Sequence, residues 1–176
     1  MKKDFLIPIA VLTGICFVIA AALAVTNRVT EPVIAAAAAE RAMAARREIL
    51  PDALEFEPMP LDGAPASVKE AYRATNHAGY VFMLTAKGYS GDIDMICGIS
   101  EAGKVISARV LQQTETKGLG TQIADAAFGD QFAGKDAALR DVSAITGATI
   151  SSTAYINAIK DAFTAFELMR EGSGNE

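Results

Sequence analysis

Hydroxyl side chains are concentrated in one short stretch near the end of the chain, Thr146-Gly147-Ala148-Thr149-Ile150-Ser151-Ser152. Gly147 lets the backbone turn sharply and approach a ligand closely. An amphipathic run over residues 154–169 follows and predicts a helix that begins in this stretch. A helix N-terminus has free N–H groups and the positive end of a dipole, so it suits an anion such as a phosphate. The alternative is that Thr149 or Ser151 only caps the helix, which is the commoner role of such residues.

Residues 141–152 (DVSAITGATISS) resemble the flavin-attachment motif of the covalent FMN-binding domain. That domain occurs in the G subunit of Rnf-type ferredoxin:NAD oxidoreductases and in the C subunit of sodium-translocating NADH:quinone reductases. In this family the threonine that ends the (Ser/Thr)-Gly-Ala-Thr string carries FMN through a phosphoester bond, and Thr149 is the residue that matches. The resemblance also implies that the neighbouring motif residues contact the cofactor: Thr146, Gly147, Ala148, Ile150, Ser151 and Ser152.

Two further segments match the G-subunit pattern in the family's order, so the resemblance covers roughly the whole chain. Gly88-Tyr89-Ser90-Gly91 resembles a GYxG turn, and Glu115-Thr116-Lys117-Gly118-Leu119-Gly120 resembles an ETxGLG segment. For the second segment the resemblance implies hydrogen bonds and close backbone contacts to the flavin from Glu115, Thr116, Gly118 and Gly120, with Leu119 covering a ring face. Tyr89 either stacks near the flavin or fills the core. The alternative for each residue is ordinary turn chemistry.

The chain departs from the family pattern at two positions. Lys117 stands where proline is most frequent, and Ser143 stands where an aspartate usually precedes the first motif hydroxyl by three residues. The second departure concerns how a flavin-attaching enzyme recognises the site. Neither departure changes the residue expected to carry the flavin, which is Thr149.

The remaining residues offer few groups for acid–base, nucleophilic or metal chemistry. His77 is the single histidine, and no serine or cysteine beside it suggests a catalytic triad. Cys16 lies in an apolar N-terminal run and Cys97 in a second apolar stretch, so both are predicted to be small buried hydrophobic residues. We therefore predict no catalytic residue and no metal site, and any redox chemistry would come from a bound cofactor.

An apolar run near the N-terminus predicts a membrane anchor. Residues 5–25 are 21 residues without a charge, and about 31 Å of helix is enough to cross a bilayer core. The alternative is a cleaved signal peptide, because Ala22-Leu23-Ala24 resembles a cleavage site. Basic residues flank the run on both sides, so charge does not fix the orientation. The family resemblance implies a single-pass protein of the cell (inner) membrane, in contact with lipid, whose flavin domain is extracytoplasmic.

The predicted fold is α+β. We expect four segments: a cytoplasmic stub and transmembrane helix (1–27), a connecting helix and linker (28–65), a covalent FMN-binding domain (66–172) and a tail (173–176). Apolar runs at residues 80–86, 93–99 and 105–111, separated by turn residues, predict three strands of an antiparallel sheet. A short helix or irregular segment over 122–132 and the C-terminal helix would flank that sheet.

The resemblance implies an electron-relay subunit that carries FMN on Thr149 and is not catalytic alone. Its complex would be a membrane-bound ferredoxin:NAD⁺ oxidoreductase that moves Na⁺ or H⁺, with the other membrane subunits and a flavin transferase as partners. A net charge of −5 gives no support to nucleic-acid binding. Three alternatives remain open: the flavin subunit of a quinone reductase complex, a membrane-anchored assembly or sensor module without flavin, and a protein that binds a small ligand noncovalently.

Overall fold

The computed structural model describes residues 2–173 and divides into two compact units, Met1–Ala44 and Ala45–Glu176. The described part of the first unit is one helix, α1 (Lys2–Ile49), whose last residues belong to the second unit. The predicted span and the predicted connecting helix are therefore a single helix. Pro32 lies in the interior of this helix. The missing proline N–H costs one helical hydrogen bond there, and the alanine-rich sequence that follows strongly favours helix.

One described segment, Val11–Ile49, is long and apolar enough to cross a membrane by length and composition. Large apolar side chains such as Phe17, Leu23 and Val33 are exposed along it, which is the pattern of a helix surrounded by lipid. A signal sequence near the N-terminus passes the same test, so the choice between the two stays a prediction. Residues 174–176 of the predicted tail lie outside the described residues.

The second unit contains a five-stranded sheet, and the α+β prediction is confirmed. Its strands occur in sequence order and every neighbouring pair is antiparallel: β1 (Phe56–Pro58), β2 (Val68–Ala74), β3 (Tyr80–Lys87), β4 (Asp92–Ile99) and β5 (Val105–Gln113). A 3₁₀ helix (Gly120–Ala124), α2 (Ala126–Asp130) and the long α3 (Thr149–Ser173) follow. The three predicted strands correspond to β3, β4 and β5. The predicted irregular or helical segment over 122–132 corresponds to the two short helices.

Strands β1 and β2 were not predicted from the sequence. The first strand is three residues long, ends in proline and lies at the sheet edge, where a missing N–H is tolerated. The second contains alanine, lysine and glutamate, which are uncommon in strands. A register shift between Val68 and Glu70 also interrupts its alternation, so its buried residues fall three apart, at Val68, Ala71 and Ala74. That spacing has no strand period, which explains why the segment gave no strand signal.

Helix α3 covers one face of the sheet and builds the main core. Its buried residues recur at helical spacing, among them Tyr155, Ile159 and Phe166. They pack against the side chains of β3 and β4 that point to the same face, such as Phe82 and Met95. Because the buried stripe of α3 fixes its rotation on the sheet, the direction of each residue in its first turn is fixed as well.

The opposite face of the sheet is covered by the last turn of α1. Ile49 is buried there, and a Cβ on Gly98 would meet its Cγ2 at 2.5 Å. The Arg46 guanidinium lies 3.6 Å from the centre of the Tyr72 ring. The Tyr72 hydroxyl and Arg46 both donate to the Glu70 carboxylate, at 2.7 and 3.4 Å. The flavin-family motifs are not part of this contact.

Candidate functional site

A cavity of about 570 Å³ lies at the start of α3. It brings together residues from all three sequence motifs, which are far apart in the chain. Ten of the thirteen predicted site residues line it: Tyr89, Glu115, Thr116, Leu119, Gly120, Gly147, Ala148, Thr149, Ile150 and Ser151. Thr146, Gly118 and Ser152 are beside it without lining it. Whether any of these residues contacts a cofactor stays a prediction.

The backbone turns into α3 at Gly147, whose φ of +83° is in the left-handed region. The Ala148 N–H donates to the Ile145 carbonyl at 3.0 Å, and the Ala148 carbonyl accepts the Ser152 N–H at 2.9 Å. Ala148 therefore occupies the cap position and has no side chain that can cap. In the part of the chain that the structure describes, the N–H groups of residues 149–151 donate to no other group. These three amides remain available to an anion.

The hydroxyls of the first turn fall into two classes. Thr149 is exposed, and its hydroxyl has no hydrogen-bond partner among residues 2–173. Ser151 and Ser152 are buried. Ser152 Oγ donates to the Ala148 carbonyl at 2.9 Å and accepts the Ile145 N–H at 3.0 Å. Neither Thr149 nor Ser151 caps the helix, so the capping alternative is wrong.

The Ser151 hydroxyl is directed away from the backbone and donates to Glu115 Oε2 at 2.5 Å. Glu115 follows β5 and is itself buried. Its other oxygen, Oε1, accepts the backbone N–H of Ser90 at 3.0 Å. One carboxylate thus joins the turn after β3, the segment after β5 and the first turn of α3. Ser90 is the variable position of the GYxG turn and was not predicted as a site residue, because a bond from its backbone amide does not depend on its side-chain type.

The opening of the cavity carries three exposed apolar side chains. Tyr89, Leu119 and Ile150 are 70%, 48% and 56% exposed, respectively, and all three line the cavity. Because Tyr89 is this exposed, the alternative in which it fills the core is wrong. Exposed aromatic and aliphatic groups at the edge of a concave site are typical of a pocket for a flat, partly apolar ligand.

Below the first turn of α3, the helix enters an aromatic cluster. The Tyr155 ring lies 5.1 Å from the rings of Phe128 and Phe132. Burial raises the pKa of the Tyr155 hydroxyl, which has no hydrogen-bond partner among the residues that the structure describes. Burial also raises the pKa of the Cys97 thiol to about 12, which keeps it protonated and unreactive at neutral pH. Cys97 is fully buried, as predicted, whereas Cys16 is exposed on α1, so the prediction that it is buried is wrong.

The comparisons with known proteins agree with this architecture. Residues 88–164 match the FMN-binding domain family. The chain is 34% identical to the G subunit of the ion-translocating oxidoreductase complex of Methanosarcina acetivorans, over 92% of this chain and 94% of the relative. It is 30% identical to the G subunit of the Na⁺-translocating ferredoxin:NAD⁺ oxidoreductase complex of Acetobacterium woodii, over 89% of each chain. It is also 29% identical to the G subunit of the proton-translocating complex of Clostridium ljungdahlii, over 86% of this chain and 85% of the relative.

A solved structure of the C subunit of the Na⁺-translocating NADH-quinone reductase from Parabacteroides distasonis is more distant. Its sequence is 21% identical to this chain, and the match covers 55% of this chain and 60% of the solved chain. The TM-score of the superposition is 0.43. The site and the sequence relatives together define a small FMN-binding domain that follows an apolar N-terminal helix. The chain belongs to the G-subunit family of ion-translocating oxidoreductase complexes.

Proposed function

We propose that this protein is the electron-relay subunit of a membrane-bound, ion-translocating ferredoxin:NAD⁺ oxidoreductase, and that it carries FMN through a phosphoester bond to Thr149. The observation that supports this most strongly is the state of the Thr149 hydroxyl. It is exposed, has no hydrogen-bond partner in the described chain, and lines the cavity of an FMN-binding domain. An acceptor for a phosphoryl group delivered by a separate enzyme must be accessible, and a hydroxyl that is not already committed to a structural hydrogen bond can be modified without loss of a contact in the fold.

The surroundings of Thr149 fit a phosphate. The amides of residues 149–151 are free, and they are at the positive end of the α3 dipole. Glu115 carries a negative charge on the buried side of the same turn, next to Ser151. Repulsion from that carboxylate keeps the phosphate on the exposed side, where Thr149 and Thr146 lie.

The rest of the cavity fits the flavin ring. Tyr89, Leu119 and Ile150 provide apolar surface around the opening, and such surface binds a planar aromatic ring through dispersion and desolvation. FMN supplies the redox chemistry when bound, since the described residues offer no metal cluster for it. The residues of this chain bind the cofactor, orient it and limit its contact with water.

A covalent bond suits a cofactor that works outside the cytoplasm. Flavin lost there by dissociation is not readily replaced, and a phosphoester keeps the site fully occupied. We propose that α1 anchors the protein in the cell membrane by a single span in contact with lipid, and that the domain is extracytoplasmic. The partners would be the other membrane subunits and a flavin transferase. One relative is named for Na⁺ and another for protons, so either ion fits the family.

Co-production with a flavin transferase tests this proposal. The wild-type chain should gain the mass of one FMN less one water and fluoresce in a denaturing gel. Thr149→Ala should abolish both signals. Thr153→Ala is the matched control, because Thr153 is an exposed hydroxyl four residues away that lies outside the (Ser/Thr)-Gly-Ala-Thr string and does not line the cavity, and this variant should still be modified.

Two results would contradict the proposal. A wild-type chain that remains unmodified and non-fluorescent beside an active transferase would favour an assembly or sensor module without flavin. Flavin that binds but is washed out by denaturant would favour noncovalent ligand binding.

A further inference from the structure

The cavity at the start of α3 contains one buried charge. Glu115 is 7% exposed and is the only ionisable side chain among the described lining residues apart from the Tyr89 phenol. No lysine, arginine or histidine lines the cavity, and within the described chain Glu115 takes part in no salt bridge. A charge in this position acts on a bound ligand with little screening by solvent.

The Glu115 carboxylate is the acceptor in both of its hydrogen bonds. Oε1 accepts the Ser90 N–H at 3.0 Å, and Oε2 accepts the Ser151 hydroxyl at 2.5 Å. An ionised carboxylate is an acceptor only, so two donors directed at its two oxygens match the charged form. Charge-assisted hydrogen bonds of this kind stabilise the negative charge where it is, without neutralising it.

The surrounding backbone fixes the position of that charge. A Cβ on Gly120 would meet Glu115 Oε2 at 2.7 Å, and a Cβ on Gly88 would overlap Oε1. Glycine at both positions is therefore what gives the carboxylate its space. The turn after β3, the 3₁₀ helix and the first turn of α3 all meet at this group, so it cannot swing away when a ligand binds.

We propose that the Glu115 carboxylate sets the reduction potential of the bound flavin to a low value. The inference rests on the proposed function. Adding an electron to the flavin adds a negative charge to a cavity whose described lining already contains one and includes no basic side chain. Coulomb repulsion disfavours the reduced form, and at an effective dielectric constant near 20 a unit charge within roughly 10 Å changes such an equilibrium by about tenfold.

Potentiometric titration of the flavinylated full-length protein tests this role. At a fixed ambient potential, Glu115→Gln should raise the ratio of reduced to oxidised flavin by about tenfold relative to wild type. Glutamine has the same shape and still accepts one of the two hydrogen bonds, so mainly the charge is changed. Glu101→Gln is the matched control, because Glu101 is exposed and distant from the cavity lining but loses the same charge. It should leave the ratio unchanged.

The outcomes separate this inference from the proposed function. Intact mass is measured first, and a wild-type chain without flavin would overturn both proposals. A flavinylated Glu115→Gln protein that titrates like wild type and like Glu101→Gln would overturn the role of Glu115 alone.

A measurement on the wild type covers the case in which Glu115→Gln does not fold. Redox difference infrared spectra of protein labelled with ¹³C-glutamate should contain an isotope-sensitive carboxylate band that shifts on flavin reduction, because the buried carboxylate responds to the new charge. A spectrum without such a glutamate band would overturn the inference.

Discussion

The first turn of α3 has two sides that use the same chemical group in opposite ways. Thr149, on the exposed side, has a hydroxyl without a partner in the described chain, while Ser151 and Ser152, on the buried side, use theirs to connect three segments of the domain. All three residues fall within four positions of sequence. Burial therefore separates a hydroxyl available for modification from hydroxyls that are structural, and the following substitutions test that separation in the full chain in detergent.

The largest stability effect is expected at Ser151. Ser151→Ala removes the donor to a buried carboxylate oxygen, and loss of a hydrogen bond to a charged group should lower the free energy of unfolding by about 2 kcal/mol. Thr149→Ala should change it by less than about 0.5 kcal/mol, as for other exposed sites. Urea unfolding measures both. Equal effects of the two substitutions would contradict the distinction between the two sides.

Substitution of Ser152 is expected to lower the free energy of unfolding by less than substitution of Ser151. Ser152→Ala leaves the Ile145 N–H without its acceptor and removes the bond to the Ala148 carbonyl. The free energy of unfolding should fall by roughly 1–2 kcal/mol, and Ser152→Thr should recover part of the loss because it keeps the hydroxyl. Thr153→Ala, an exposed neighbour, is the control. A Ser152→Ala protein as stable as this control would show that the hydroxyl does not fix the turn.

Raising the pH above 9 should lower the free energy of unfolding, because the core beneath the turn contains a buried thiol. Burial raises the pKa of Cys97 from 9.0 to about 12 in the folded protein. Between these values the unfolded chain has lost the thiol proton while the folded chain keeps it, so stability is complete below pH 9 and falls as the pH rises. The loss should be about 1 kcal/mol at pH 10. Urea unfolding from pH 7 to 10 should show a flatter dependence for Cys97→Ala than for Cys16→Ala, and identical slopes would contradict this account.

Among the buried positions, the smallest change in stability is expected at Tyr155, where substitution should increase the free energy of unfolding. Its hydroxyl is fully buried and has no hydrogen-bond partner in the described part of the chain, so Tyr155→Phe should raise the free energy of unfolding by about 1 kcal/mol. Tyr89→Phe, at a residue that is 70% exposed, should have no measurable effect. A Tyr155→Phe protein that is less stable than wild type would show that the hydroxyl has a partner, such as a buried water.

The sequence was sufficient for the elements with strong local signals. Strands β3, β4 and β5 were predicted from apolar runs bounded by turn residues, and α3 from its helical apolar stripe. Strand β2 has neither an apolar run nor an alternating pattern, because its composition is polar and its register shift removes the alternation. Similarly, the cavity residues were predicted from motifs, but the roles of the two serines were not. Whether a serine faces solvent or Glu115 depends on the rotation of α3 against the sheet, and local sequence does not contain that information.

The central claim is that Thr149 alone among the clustered hydroxyls carries the flavin, and peptide mapping of the flavinylated wild type tests it most directly. Trypsin cleaves after Arg140 and Lys160, which releases one peptide, residues 141–160, that contains every hydroxyl of the motif. Fragmentation should place the mass of FMN less one water on Thr149, with the other hydroxyls of the peptide unmodified. The same mass found on Thr146, Ser151 or Ser152, or a peptide without modification after co-production with an active transferase, would contradict the account.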